Sequence, residues 1–174
     1  MKRIKIILML LVVSGFITTQ VHAAKAFEGK IGWVDLGRLF NEYEETKLYD
    51  DQLAKESKEF EDARQAKIDE IRDGQNKLAL LKEDEKKKLQ EDLDKQRAQL
   101  VEYDRQKRTD LLKKRDTSVR EVLLKIEKVV ADFAKKEGYT IVTNDRAIVY
   151  ASPDLNITDP VLKILNENYS KTKK

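Results

Sequence analysis

The 174-residue chain contains no cysteine, one histidine, two methionines, two prolines and six glycines. Without cysteine there is no disulfide, no thiol nucleophile and no zinc site built on thiolates. So few glycines and prolines exclude a loop-rich sandwich, a collagen-like repeat and a flexible linker. Aromatic residues are sparse at 7%, yet Leu, Ile and Val recur at regular intervals, which argues against simple disorder. What the chain has in excess is charge. Charged residues make up 39% of it, against an average of roughly a quarter, and that composition suits long solvent-facing helices.

The first residues have the layout of a secretory signal peptide. Lys2, Arg3 and Lys5 precede an uncharged apolar run over residues 6–17, and Val21-His22-Ala23 supplies small-tolerant positions before a cut. A run of 12 residues is short of the roughly 20 needed to span a bilayer, and no cysteine is present for a lipid anchor. The expectation is export to the periplasm with cleavage after Ala23. The processed chain then has 32 basic residues against 32 acidic ones, and it loses His22, Met1 and Met9. A chain so balanced lacks the basic footprint of a nucleic-acid binder.

The processed chain has no histidine to act as a general base and no usual zinc ligands. Carboxylates such as Glu91, Asp92 and Asp94 sit where about every second residue is charged, so they read as a solvated face. Residues 24–31 lack the first glycine and the final Ser or Thr of a phosphate loop. The chain is therefore read as a non-enzyme with no cofactor and no metal.

Three regions follow from the pattern. Ile31-Gly32-Trp33-Val34 reads as a strand, with Asp35 placed to cap a helix. Residues 41–137 contain no proline and only Gly74, and 50 of those 97 residues are charged, 26 acidic and 24 basic. From Leu39 onward the apolar residues step by threes and fours or their sums: Leu39, Tyr43, Leu53, Phe60, Ile71 and Leu78 in the first half, then Leu89, Leu93, Leu100, Tyr103, Leu111, Val119, Val122, Ile126, Val129 and Phe133. Two thin stripes suit two helices lying against one another. A turn near residues 78–85 would make a hairpin, with Glu83, Asp84 and Glu85 at the positive end of the second helix. One unbroken helix over residues 36–137 is the alternative.

Gly138 is placed as a helix C-terminal cap. Tyr139-Thr140-Ile141-Val142 and Ala147-Ile148-Val149-Tyr150 read as two strands joined by a turn at Thr143-Asn144-Asp145-Arg146. Thr158-Asp159-Pro160 then opens a last helix with Thr158 as cap. The expected fold class is α+β: a long antiparallel helical hairpin arm, coiled-coil-like, over residues 37–137, on a small β-rich oligomerisation head of residues 24–36 and 138–174. A head of that size has too small a core to stand comfortably alone. Copies sharing a sheet would bury Ile31, Trp33, Ile141, Val142, Ile148 and Val149. The number of copies does not follow from core size.

Lys30-Ile31-Gly32-Trp33-Val34-Asp35, the charged hairpin, Phe133-Ala134-Lys135-Lys136-Glu137-Gly138-Tyr139, Asn144-Asp145-Arg146-Ala147-Ile148-Val149-Tyr150 and Ile157-Thr158-Asp159 together resemble the Skp (OmpH-like) periplasmic chaperones. The terminal blocks carry the likeness, which extends over essentially the whole processed chain. It implies a homotrimer whose β-rich head holds three helical arms around an open cavity for unfolded outer-membrane β-barrel proteins. It also implies an ATP-independent holdase that prevents their aggregation. Leu53, Phe60, Ile71, Leu78, Leu81 and Leu89 are the candidate client contacts on the arm. Better-known members are strongly basic, whereas this processed chain is balanced except near the tip, where Lys77, Lys82, Lys86, Lys87 and Lys88 outnumber Glu83, Asp84 and Glu85. That basic tip is a candidate for weak membrane-surface contact. A structural or adaptor coiled-coil protein of the cell envelope is the alternative function.

Overall fold

The structure, a computed structural model, describes residues 29–172. The signal peptide expected over residues 1–23 and its cleavage after Ala23 lie outside the described residues. Strand β1 (Lys30–Val34) runs parallel to β2 (Tyr139–Asn144), with Ile31 opposite Ile141, Gly32 opposite Val142 and Val34 opposite Asn144. Parallel strands need a long crossover. Here the crossover is the whole helical arm: α1 (Leu36–Glu42), α2 (Glu44–Leu78) and α3 (Glu83–Glu137). Single turns of 3-10 helix at Asp145–Ala147 and Pro153–Leu155 follow β2, and α4 (Thr158–Thr172) ends the described chain.

Helices α2 and α3 contain 35 and 55 residues, or about 52 and 82 Å at 1.5 Å per residue. The chain reverses over residues 79–82, where Leu80 N–H donates to the Lys77 carbonyl at 3.0 Å. Glu83, Asp84 and Glu85 occupy the first turn of α3 and favour its positive end. The far end stops at Gly138, whose φ of 75° is left-handed and whose N–H returns to the Ala134 carbonyl. Glycine takes that conformation without steric cost.

The apolar stripe passes through Tyr43 without a break in sequence, but the helix does not. Tyr43 has an extended backbone with ψ of 126° and offers no side-chain cap to α2. Asn166 of α4 supplies one instead, its Oδ1 accepting from Glu44 N–H at 3.0 Å. The break lets the Tyr43 ring turn inward, where it meets Tyr169 edge-on at 6.0 Å.

The principal core lies where the arm enters the head. Val34, Leu39, Tyr43, Val122, Ile126, Ile157, Val161 and Leu165 form one buried cluster, with Val129, Phe133, Tyr139 and Val142 packed around it. The head is thus completed by the roots of its own arm, and its core is larger than residues 24–36 and 138–174 supply alone. Gly32 has a packing role at this point, because a Cβ there would lie 2.8 Å from the Tyr139 ring. That ring stacks on Phe133 at 6.0 Å, and the Lys30 ammonium sits 4.0 Å from its centre.

Two expectations are corrected. Residues 147–150 do not pair back on β2 as a hairpin. A tight two-residue hairpin turn needs positive φ, and among the described residues only Gly138 has it. Ile148 N–H instead donates to the Asp145 carbonyl at 3.0 Å, turning the chain away. The second edge of β1 is taken by residues 156–157, where Ile157 N–H donates to the Trp33 carbonyl at 2.9 Å. Nor is Thr158 the cap of α4. Its Oγ1 accepts from Asp35 N–H at 2.9 Å, and Asn156 Oδ1 accepts from Thr158 N–H at 2.9 Å. Asp35 itself caps α1, accepting from Arg38 N–H at 2.7 Å.

Toward the tip, the two long helices approach closely at Gly74, where an added Cβ would lie 2.6 Å from Leu93 Cδ2. Leu93 is buried. We predict that Leu93→Ala lowers unfolding stability by about 2–4 kcal/mol, as cavity-forming core truncations do. Gly74→Ala should destabilise when Leu93 is present, because overpacking costs about 1–3 kcal/mol. It should stabilise in the Leu93→Ala background, where the methyl enters vacated space and helix propensity adds about 1 kcal/mol. Urea unfolding of the four proteins tests this, and an equal effect of Gly74→Ala in both backgrounds would show that the two sites do not touch.

Candidate functional surfaces

The root of the arm carries a partly buried polar cluster rather than a catalytic pocket. Glu45, in the first turn of α2, is buried. Its Oε2 accepts from the Tyr43 hydroxyl at 2.7 Å and its Oε1 from Lys125 Nζ of α3 at 2.6 Å. Tyr49 lies between Glu45 and Glu121, at 3.4 and 3.2 Å, and its single proton serves one of them at a time. Burial pushes the Glu45 carboxyl up, but the hydrogen bonds from Lys125 and Tyr43 outweigh it and hold the group below its ordinary value. Burial and the neighbouring carboxylates push the Tyr49 phenol up to about 12. Lys125 and Glu121 of α3 thus meet Glu45 and Tyr49 of α2, and Tyr43 braces Glu45 from its own side.

Beyond the root the helices meet along a sparse seam. Phe60 lies 5.8 Å from Tyr103, with the Arg108 guanidinium 5.7 Å from the Phe60 ring. Arg64 pairs with Asp104 across the seam at 2.9 Å, and Lys114 pairs with Glu56. Phe60 and Ile71 are buried in this seam. They were expected to touch a client, and in this conformation they have no surface to offer. Leu53, Leu78, Leu81 and Leu89 are half-buried along it.

Along the two long helices the large apolar side chains that do face water are different ones, and they lie on α3 alone. Val101, Leu112 and Leu124 of α3 are 70%, 59% and 58% exposed, with Leu123 beside them. On α2 no large apolar side chain is comparably exposed among the described residues. The signal was present in the doublets Leu100-Val101 and Leu111-Leu112 and the run Val122-Leu123-Leu124. A narrow seam takes one residue from each group, so the next one must point elsewhere. Val101, Leu112 and Leu123 recur every 11 residues, close to three full turns, and share one flank of the helix.

At the tip, Leu80 is 85% exposed and Lys77, Lys82, Lys86, Lys87 and Lys88 are exposed around it. No helix among the described residues is long and apolar enough to cross a membrane.

In the head, Ile31 and Ile141 face one another across the sheet and are 41% and 47% exposed. Trp33 lies on the same face, its Nε1 donating to the Ser152 carbonyl at 3.1 Å. Ile148 and Val149 line a shallow groove beside it. Val142 is not part of this surface. Its partner in register is Gly32, on the opposite face of the pleat, and it packs on the core.

The Glu45 cluster gives a pH dependence with a definite sign. A carboxyl held below its ordinary value of 4.5 contributes stability that is complete above that value and is lost as pH falls through the lowered one. We predict that Glu45→Gln is less stable than wild type at pH 7 and that the difference shrinks as the pH falls below about 4.5. Thermal unfolding of both proteins between pH 3 and 7 measures it, and a constant difference would show that the Glu45 charge contributes nothing.

The fold and sequence have known counterparts. The model of the family described as Outer membrane protein (OmpH-like) matches residues 30–165. A curated relative, the chaperone protein Skp of Yersinia enterocolitica, is 29% identical over 151 residues, covering 81% of this chain and 88% of its own. A solved structure of an OmpH-like outer membrane chaperone from Caulobacter crescentus superposes with a TM-score of 0.74 at 11% identity, covering 80% of this chain and 85% of that one, and so agrees in fold. Parallel strands joined through a long charged helical hairpin, the Gly32–Tyr139 contact and the match over residues 30–165 lead to one conclusion: the chain belongs to the OmpH-like outer membrane protein family.

Proposed function

We propose that this protein is a periplasmic, ATP-independent holding chaperone that captures unfolded outer-membrane β-barrel proteins between the helical arms of a homotrimer. The observation that carries the reading is the set of exposed apolar side chains, Val101, Leu112, Leu123 and Leu124, on one helix of an otherwise charged and solvated arm. Membership of a family in which a curated relative is named a chaperone supports it. Fully burying one Leu or Val is worth about 1.5–3 kcal/mol, and a partial contact is worth less. A single anchor of this kind does not hold a client, whereas several on each of several arms do so through multivalency. Such contacts are indifferent to the order of residues in the client. They are relinquished when the client folds and withdraws its apolar surface.

The client-facing side chains in this reading are the exposed set on α3, with Leu53, Leu78, Leu81 and Leu89 contributing their accessible edges. The basic tip around Leu80 offers a weak contact to an anionic membrane surface, and its strength falls with added salt. Assembly uses the outward face of the head, where Ile31, Trp33, Ile141, Ile148 and Val149 present apolar surface that a second copy would cover.

The test is suppression of aggregation when an outer-membrane barrel is diluted from urea in the presence of the protein. Wild type should suppress it at stoichiometric amounts. The triple variant Val101→Asp, Leu112→Asp, Leu124→Asp should lose most of that activity, by about tenfold in the amount required, with helix content and assembled mass unchanged. Undiminished suppression by the triple variant would assign holding to another surface. No suppression by wild type would leave an envelope adaptor as the better reading.

A further inference from the structure

The exposed apolar side chains of α3 have a particular set of neighbours. Arg97, Val101, Arg105, Arg108, Leu112 and Arg115 follow one another in steps of four, four, three, four and three residues, which places them on one stripe of the helix about 27 Å long. Lysines outnumber arginines in this chain by 25 to 10, yet every cation three or four residues from Val101 or Leu112 is an arginine. Hydration of the arm does not account for that choice, because an ammonium is the more strongly hydrated of the two cations.

Three of these guanidiniums are already neutralised on their own helix. Arg97 pairs with Asp94 at 2.7 Å and Arg108 with Asp104 at 2.8 Å, while Arg105 donates to both oxygens of Glu102, at 3.0 and 2.6 Å. An anionic ligand would therefore meet donors that are occupied. Bonds of this kind lie in the plane of the guanidinium and leave its two flat faces open, and the Arg105 and Arg108 side chains are 66% and 56% exposed. A flat cationic face suits the face of an aromatic ring. The arm contains an example: Arg108 is bonded to Asp104 and at the same time has its guanidinium 5.7 Å from the Phe60 ring.

We propose that this stripe of α3 takes the aromatic side chains of an unfolded barrel, guanidinium faces stacking on the rings while Val101 and Leu112 cover their edges. The inference rests on the proposed holding role and adds to it the chemistry by which one client segment is preferred to another. Outer-membrane barrels have aromatic girdles at both membrane interfaces, so rings recur along the unfolded client, and stacking on them does not depend on the order of the residues between. A client of equal apolar content but without rings is held less tightly.

The test compares two forms of one fluorescently labelled outer-membrane barrel, each diluted from urea at nanomolar concentration: the natural sequence, and one in which the girdle Tyr, Trp and Phe residues are replaced by Leu. Fluorescence anisotropy measures the affinity of the protein for each. Wild type should bind the aromatic form roughly tenfold more tightly, because exposed contacts of this kind are individually weak and add through multivalency. The triple variant Arg97→Lys, Arg105→Lys, Arg115→Lys keeps the charge and the helix propensity and should lose that margin, with its affinity for the leucine form as in wild type. Arg108 is left in place because it packs on Phe60, and helix content by circular dichroism should be equal in the two proteins. Equal binding of both forms by wild type overturns the aromatic preference and leaves the holding role intact. A margin that survives in the lysine variant, or an equal loss of affinity for both forms, overturns its assignment to the guanidiniums. Binding of neither form by wild type removes the holding role itself, and the stripe's part in it.

Discussion

The structure depends on the burial of Leu39, Val122, Ile126, Val161 and Leu165 at the point where the arm enters the head. Three helices and the sheet contribute to that one cluster, so neither arm nor head has its position without the other. The polar groups around it serve the same end. Asp35 caps α1 and donates its N–H to Thr158, Asn156 caps α4, and Asn166 of α4 caps α2. The bonds from Asp35 N–H to Thr158 and from Glu44 N–H to Asn166 join elements from opposite ends of the sequence, so with no cysteine for a cross-link the two ends are tied together by packing and by these polar contacts.

Past the root the balance of forces changes. The ion pairs on the arm are mostly between exposed side chains three or four residues apart on one helix, and pairs of that kind contribute little each. Cohesion between α2 and α3 comes instead from a few buried side chains, Phe60 and Ile71 of α2, about three turns apart, and Leu93 of α3. The charges have another consequence. They keep a long surface hydrated while leaving room for isolated apolar side chains, each too small to drive association alone. In the proposed holding role, such a surface would touch many segments of an unfolded chain without any one contact becoming permanent.

Much of the architecture was legible from residue spacing. The helical period between residues 41 and 137, the cap at Gly138 and the strand at Ile31-Gly32-Trp33-Val34 follow from local chemistry, and the structure has all three. The break at Tyr43 was not legible, because its cause is Asn166, far away in sequence. The absence of a hairpin after β2 was hidden for a related reason. Residues 147–150 have the β-branched composition of a strand, but the place beside β1 is filled by residues 156–157. The candidate site divides in the same way. Periodicity finds Phe60 and Ile71 because they lie in the seam, and for that reason they are buried. Val101 and Leu112 break the period, and those are the side chains left facing water.

The reason for expecting assembly also shifts once the core is seen. Counted from residues 24–36 and 138–174 alone, the head is too small to be comfortable, but Leu39, Tyr43, Val122 and Ile126 enlarge its core from the arm side. Self-association is therefore not required to give the head an interior. What argues for it is the outer surface: Ile31 paired with Ile141 on the exposed face of the sheet, and Val149 and Tyr150 bare beside Trp33. An interior deficit would make monomers unfold when diluted. A surface deficit predicts instead that dilution yields folded, separated copies whose arms keep their helices, because the cluster at the root remains complete within each chain.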